Sequence, residues 1–126
     1  MKVKPTDGEL EILQILWRRG PSSVREINDV LNKKRETGYT TTLKLMQIMT
    51  DKGIVYRDTT SRSHIYHASI PESETKNGLL NDFINAAFHG SAMSMVIQAL
   101  GNTKASPGEL EELKQLIHNI ETQENS

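Results

Sequence analysis

Apolar residues recur along the chain first with a helical period, then with a period of two, then helically again. Leu10, Leu13, Leu16 and Trp17 share one helix face. Ahead of them Thr6-Asp7-Gly8-Glu9 has the spacing of a capping box, in which the Thr oxygen accepts an orphan backbone N–H and the Glu reaches back to another. Ser23-Val24-Arg25-Glu26 repeats that signature before the stripe Val24, Ile27 and Leu31. A third helix is predicted from Tyr39 or Thr40 to Lys52, with Gly53 as its stop. The period then changes. Ile54-Val55-Tyr56-Arg57 and His64-Ile65-Tyr66-His67-Ala68 are rich in β-branched and aromatic residues, and the polar tip Asp58–Ser63 between them predicts a hairpin. After Pro71 helical stripes return. Leu80, Phe83, Ile84, Ala87 and Phe88 form one, stopped by Gly90, and Met93, Val96 and Leu100 form another, stopped by Gly101. A last helix starts at Ser106 as N-cap, with Pro107 in the first helical position and Glu109 completing a capping box. Leu110, Leu113, Ile117 and Ile120 then recur over less than two heptads, and Glu121–Ser126 is expected to fray.

Three helices followed by a two-stranded wing, then three more helices, make a mostly α protein. The expected architecture is a winged helix-turn-helix domain over residues 1–70 and a three-helix region over residues 71–126. In such folds the third helix enters the DNA major groove and the wing lies beside it. That makes a demand on the third helix. At about 100° per residue, Thr42, Leu45, Met46 and Met49 fall together as an inward stripe. Thr40, Lys44, Gln47 and Asp51 fall opposite, flanked by Leu43 and Ile48. Thr and Gln can hydrogen-bond base edges, Lys can reach a guanine or a phosphate, and Leu can touch a thymine methyl. Thr40 and Thr41 also stand in the first turn, where backbone N–H groups and hydroxyls bind phosphate. The candidate DNA-binding residues are therefore Thr40, Thr41, Leu43, Lys44 and Gln47, with Arg57 and Arg62 on the wing. Lys33-Lys34-Arg35 adds candidate phosphate contacts before the third helix. Asp51, at the far end, is expected to point away from phosphate.

Charge sharpens this picture. The net charge of −1 conceals twelve Lys and Arg against eight Asp and Glu in residues 1–70, and three against eight in residues 71–126. A basic first part and an acidic second part fit one surface that meets a polyanion and another that does not. With 126 residues, 36% hydrophobic and 5% aromatic, the chain builds a thin core that a partner subunit can complete. Three short helices cannot bury their stripes on one another and leave the basic domain free. Leu80, Phe83, Phe88, Val96, Leu100, Leu110, Leu113 and Ile117 are thus expected at a dimer interface.

Other chemistry finds little support. The absence of Cys removes disulfides, thiolate metal sites and cysteine nucleophiles. His64 and His67 lie three apart in a strand and so point to opposite faces, which argues against shared metal ligation. No Gly-rich phosphate loop, nucleophile elbow or zinc-protease motif occurs, so no catalytic residue and no cofactor is expected. No run approaches the roughly 18 apolar residues of a membrane span, and Met1-Lys2-Val3-Lys4-Pro5 lacks the apolar stretch of a signal peptide. A cytoplasmic location without membrane insertion is expected.

The segments Leu10–Trp17, Gly20-Pro21, Ser23–Ile27, Tyr39-Thr40-Thr41, Lys52-Gly53-Ile54, Phe88–Ser91 and Ser106–Leu113 together resemble the penicillinase-repressor (BlaI/MecI) family. The resemblance covers nearly the whole chain. It implies a homodimeric repressor on a palindromic operator, dimerised through its C-terminal helices. It further implies a membrane-bound sensor metallopeptidase as partner, and release by proteolysis within the dimerisation region. By the same resemblance the DNA contacts fall on Thr40, Thr41, Lys44 and Gln47, with Arg62 on the wing. Three departures stand out. Ser61 occupies a wing position where the family often has Gly, Tyr56 replaces the first of a basic pair, and Gln98-Ala99 matches the Asn-Phe bond cleaved in staphylococcal members. Two other readings fit the residues: a winged helix that binds only protein, and a winged-helix regulator switched by a small ligand among its C-terminal helices.

Overall fold

The computed structural model describes residues 4–60 and 62–124. Met1–Val3, Asn125, Ser126 and the wing residue Ser61 lie outside the described residues. Helices α1 (Asp7–Arg19), α2 (Val24–Asn32) and α3 (Tyr39–Lys52) precede strands β1 (Val55–Asp58) and β2 (Ile65–Ala68). Helices α4 (Glu72–Phe88), α5 (Ala92–Gly101) and α6 (Pro107–Glu124) follow. The protein is a mostly α winged helix-turn-helix followed by three helices. It divides into two compact units, one ending at Leu80 and one starting at Asn81, so the boundary falls inside α4.

Local chemistry sets the helix ends. Both N-terminal capping boxes form: Thr6 with Glu9 at the start of α1, and Ser23 with Glu26 at the start of α2. The third, Ser106 with Glu109, opens α6. Helix α3 stops at Gly53, whose φ of 80° is the left-handed turn that releases the chain toward the wing. One stop differs from expectation. Gly101 is the last residue of α5 rather than its terminator, with Asn102 as the cap. From 121 to 124 α6 continues, and Thr122 donates its hydroxyl to the His118 carbonyl at 2.9 Å; the end of the stretch expected to fray, Asn125 and Ser126, lies outside the described residues.

In the first unit Ile12, Leu13 and Leu16 of α1 pack with Val24, Ile27 and Leu31 of α2, Met46 and Met49 of α3, and Ile54, Val55 and Tyr66 at the wing base. The wing is an antiparallel pair with Val55 opposite Ala68 and Arg57 opposite Tyr66. Ser22, in the link before α2, exchanges two backbone hydrogen bonds with Tyr66 at 2.8 and 3.1 Å. That bridge gives β2 a neighbour on its other edge. Trp17 Nε1 donates to the Ile70 carbonyl at 3.0 Å, which ties the chain leaving the wing to α1.

The C-terminal helices are built differently. Of the described side chains from Glu72 onward only Ile84 is fully enclosed. Among the described residues no helix is long and apolar enough to cross a membrane.

Candidate nucleic-acid interface

Two polar anchors inside the first unit fix how α3 is held. The Glu9 carboxylate, only 2% exposed, accepts the Thr6 N–H at 2.9 Å and the Lys52 ammonium at 2.8 and 2.9 Å. This ion pair joins the first turn of α1 to the last turn of α3. Burial pushes the Glu9 pKa up, but hydrogen bonds from Lys52 and Thr6 outweigh it, and the group sits below the ordinary carboxylate value. Near the other end Asn28 of α2 donates to the Thr42 hydroxyl at 2.8 Å and to the Thr37 carbonyl at 3.0 Å. Among the described residues no buried side-chain nitrogen or oxygen lacks a partner. Each polar group inside is satisfied, so these contacts can position the helix without leaving a desolvated donor or acceptor.

The inward stripe of α3 is the one its angles predict. Thr42, Met46 and Met49 are buried and Leu45 is half-buried. Thr40, Thr41, Lys44 and Gln47 are exposed on the other side. Leu43 differs from the expected exposed flank: it is half-buried and packs against the core. Gly38 is the N-cap of α3 and offers no side-chain hydrogen bond, unlike Thr6 and Ser23 at the two preceding helices.

Beside α3 lies a concave groove of about 510 Å³. Leu43, Gln47 and Tyr39 line it from α3, Arg57 and Tyr66 from the wing strands, and Arg62, Ser63 and His64 from the wing loop. Ser23, Val24 and Arg25 close the side formed by the start of α2. Among the described residues three arginines line this groove and no carboxylate does. The sequence-predicted Leu43, Gln47, Arg57 and Arg62 thus come together, whereas Thr40, Thr41 and Lys44 stand on the exposed face of α3 outside the lining. Ser23, Arg25, Tyr39, Ser63 and His64 join them without any signal in the sequence pattern. A helical wheel of one helix cannot show which neighbouring element walls it in.

Several charges of the first unit are already committed. Arg35, expected among the phosphate contacts, holds the Glu11 carboxylate with both terminal nitrogens at 2.6 and 3.3 Å. That pairing draws the Glu11 pKa below its ordinary value. Arg19 pairs with Glu26 at 3.2 Å. At the wing tip the Asp58 carboxylate accepts the backbone N–H and the hydroxyl of Thr60, which lowers its pKa and braces the turn. Tyr56 and His67 stack across the strands with ring centroids 4.7 Å apart, so His67 is engaged on a different wing face from Arg57.

The penicillinase-repressor family matches the chain over residues 5–119. The penicillinase repressor of Bacillus licheniformis is 26% identical over 112 residues, covering 89% of this chain and 88% of that protein. The methicillin resistance regulatory protein MecI of Mammaliicoccus sciuri is 24% identical over 113 residues, or 90% of this chain and 92% of that one. The transcriptional regulator BlaI of Mycobacterium tuberculosis is 30% identical over 83 residues, spanning 64% of this chain and 60% of its own length.

Proposed function

The chain belongs to the penicillinase-repressor family, a family of transcriptional repressors and not of enzymes, and from that premise we propose that it represses transcription by binding a palindromic DNA operator as a homodimer. The observation that carries this reading is the groove between α3 and the wing, lined among the described residues by Arg25, Arg57 and Arg62 and by no carboxylate. A concave surface of one sign focuses its field on a polyanion. Helix α3 enters the major groove, where Gln47 and Leu43 read base edges and Thr40, Thr41 and Lys44 contact bases or flanking phosphates. Arg57 and Arg62 hold phosphate beside the wing. Two copies place their α3 helices in successive major grooves, about 34–36 Å apart or a multiple of that.

The dimer contact falls to the C-terminal helices, whose apolar side chains are largely uncovered in the single chain. Release by proteolysis belongs to the same reading, with a membrane-bound sensor metallopeptidase as the partner upstream and the cytoplasm as the place of action. Gln98 and Ala99 are exposed on α5, and cutting there severs α6 from the rest of the chain.

Selection of bound sequences from a random duplex library, followed by a salt titration on the winner, tests the reading. A two-fold symmetric site with steep salt dependence is the expected result. Enrichment of nothing, with no salt-dependent binding, sinks it in favour of a protein-binding winged helix.

A further inference from the structure

Arg25 lies in the first turn of α2, the helix that precedes α3, and not on α3 or the wing. It nevertheless lines the same groove as Arg57 and Arg62. An exposed helical arginine commonly pairs with a carboxylate one turn away. Two carboxylates are near Arg25 in sequence, and neither takes it. Glu26 is held twice over, its Oε1 accepting the Ser23 N–H at 2.9 Å and its Oε2 pairing with Arg19 at 3.2 Å. Asp29, one turn on, forms no ion pair among the described residues. The capping box and the Arg19 pair therefore turn the local negative charge away from the groove and leave the Arg25 guanidinium uncommitted.

The groove is thus lined by three arginines from three elements, α2, β1 and the wing loop, none in an ion pair among the described residues. Like charges converging on one hollow repel each other unless an anion comes between them. We propose that Arg25 binds a DNA backbone phosphate on the α2 side of the groove, opposite the phosphates held by Arg57 and Arg62 on the wing side. This rests on the DNA-binding reading above and adds a second wall to it. Duplex gripped from both sides fixes the depth and tilt at which α3 meets the bases. A phosphate contact carries no sequence information of its own.

The test measures affinity against salt for the full-length protein on two duplexes of equal length, the selected operator and a scrambled sequence. Arg25→Gln is expected to flatten the slope of log affinity against log salt by about 0.9 for each bound copy, and to weaken both duplexes by the same factor. Arg25→Lys is expected to keep the wild-type slope. Arg18→Gln removes an exposed arginine that faces a separate hollow between α1 and α2, and is expected to change neither slope nor affinity. An Arg25→Gln slope equal to wild type overturns the proposal, and so does weakening confined to the selected duplex. If wild type shows no salt-dependent binding to either duplex, the DNA-binding reading fails and the Arg25 contact falls with it. If wild type binds as expected while Arg25→Gln does so too, only the Arg25 contact is lost.

Discussion

Glu9 and Lys52 lie 43 residues apart and meet at 2.8 Å, one partner almost fully enclosed and the other about a third exposed at 32%. Breaking a wholly buried pair costs about 3–5 kcal/mol, and the water that still reaches Lys52 brings the expected loss for Glu9→Gln down to about 1–3 kcal/mol. Lys52→Met is expected to cost more, because it strands a buried carboxylate with only its capping contacts. Urea unfolding at pH 7 measures both. The folded pKa of Glu9 lies below its ordinary value, so its contribution is present above that value and lost as pH falls through the folded pKa. The deficit of Glu9→Gln should therefore shrink as pH falls below the ordinary carboxylate value and through the lower folded one, where wild type also loses the charge. A deficit unchanged down to pH 2 would show that the charge contributes nothing. Reading the sequence identifies Glu9 as a capping residue and Lys52 as a helix end, but not their meeting. A capping box is local and legible from spacing, whereas an ion pair across two helices depends on the packing angle. The same limit applies at the groove. Gln47 is legible from the period of α3, and Gln47→Ala is expected to lose about 1–3 kcal/mol of discrimination at one base pair, read by competition with single-base operator variants. A uniform loss across all variants would make it a phosphate contact instead.

Helix ends follow their capping chemistry closely, and the exceptions show what a glycine must do to end a helix. Gly20, Gly53 and Gly90 have φ between 80° and 91° and stand at stops, while Gly101 keeps the helical conformation and lies within α5. Composition marks all four alike. Only backbone conformation separates them. At Gly53 an added Cβ meets no atom within 4 Å, so nothing but the left-handed backbone opposes a larger residue. Gly53→Ala is therefore expected to cost about 1–2 kcal/mol by chemical denaturation, and Gly53→Asn less, because Asn tolerates this region. Equal stability of Gly53→Ala and wild type would mean that the turn between α3 and β1 is free to rearrange. The wing itself was legible from β-branched and aromatic residues around a polar tip. Its third neighbour was not, since Ser22 joins β2 through two backbone bonds that no side-chain pattern announces.

The two units answer to different rules. In the first, apolar stripes from three helices and the wing close over one core, and basic side chains remain outside around a groove. In the second, stripes that were legible as stripes stay uncovered: Leu110, Leu116, Ile117 and Ile120 of α6 are all exposed, with Ile117 at 55%. Leu113 and Phe88 are half-buried, while Val96, Leu100 and Phe83 are exposed. Ile97 and Leu116 extend the apolar surface beyond the residues first assigned to it, because the exposed stripe is wider than a strict heptad seam. A soluble monomer rarely leaves so much apolar surface in water, and a stable contact between copies buries about 800 Å² from each. A charge pair placed in the middle of that surface tests this directly. Leu113→Asp together with Ile117→Asp is expected to sediment as a monomer, with the winged helix still folded by circular dichroism. On the proposed function, untethering the two winged-helix units should lower affinity for the full palindrome by about 10²-fold or more, toward that of a single half-site. Binding to an isolated half-site should stay as it was. A folded variant that remains dimeric would move the interface off α6. A monomer that still binds the palindrome as wild type does would mean that each copy acts alone.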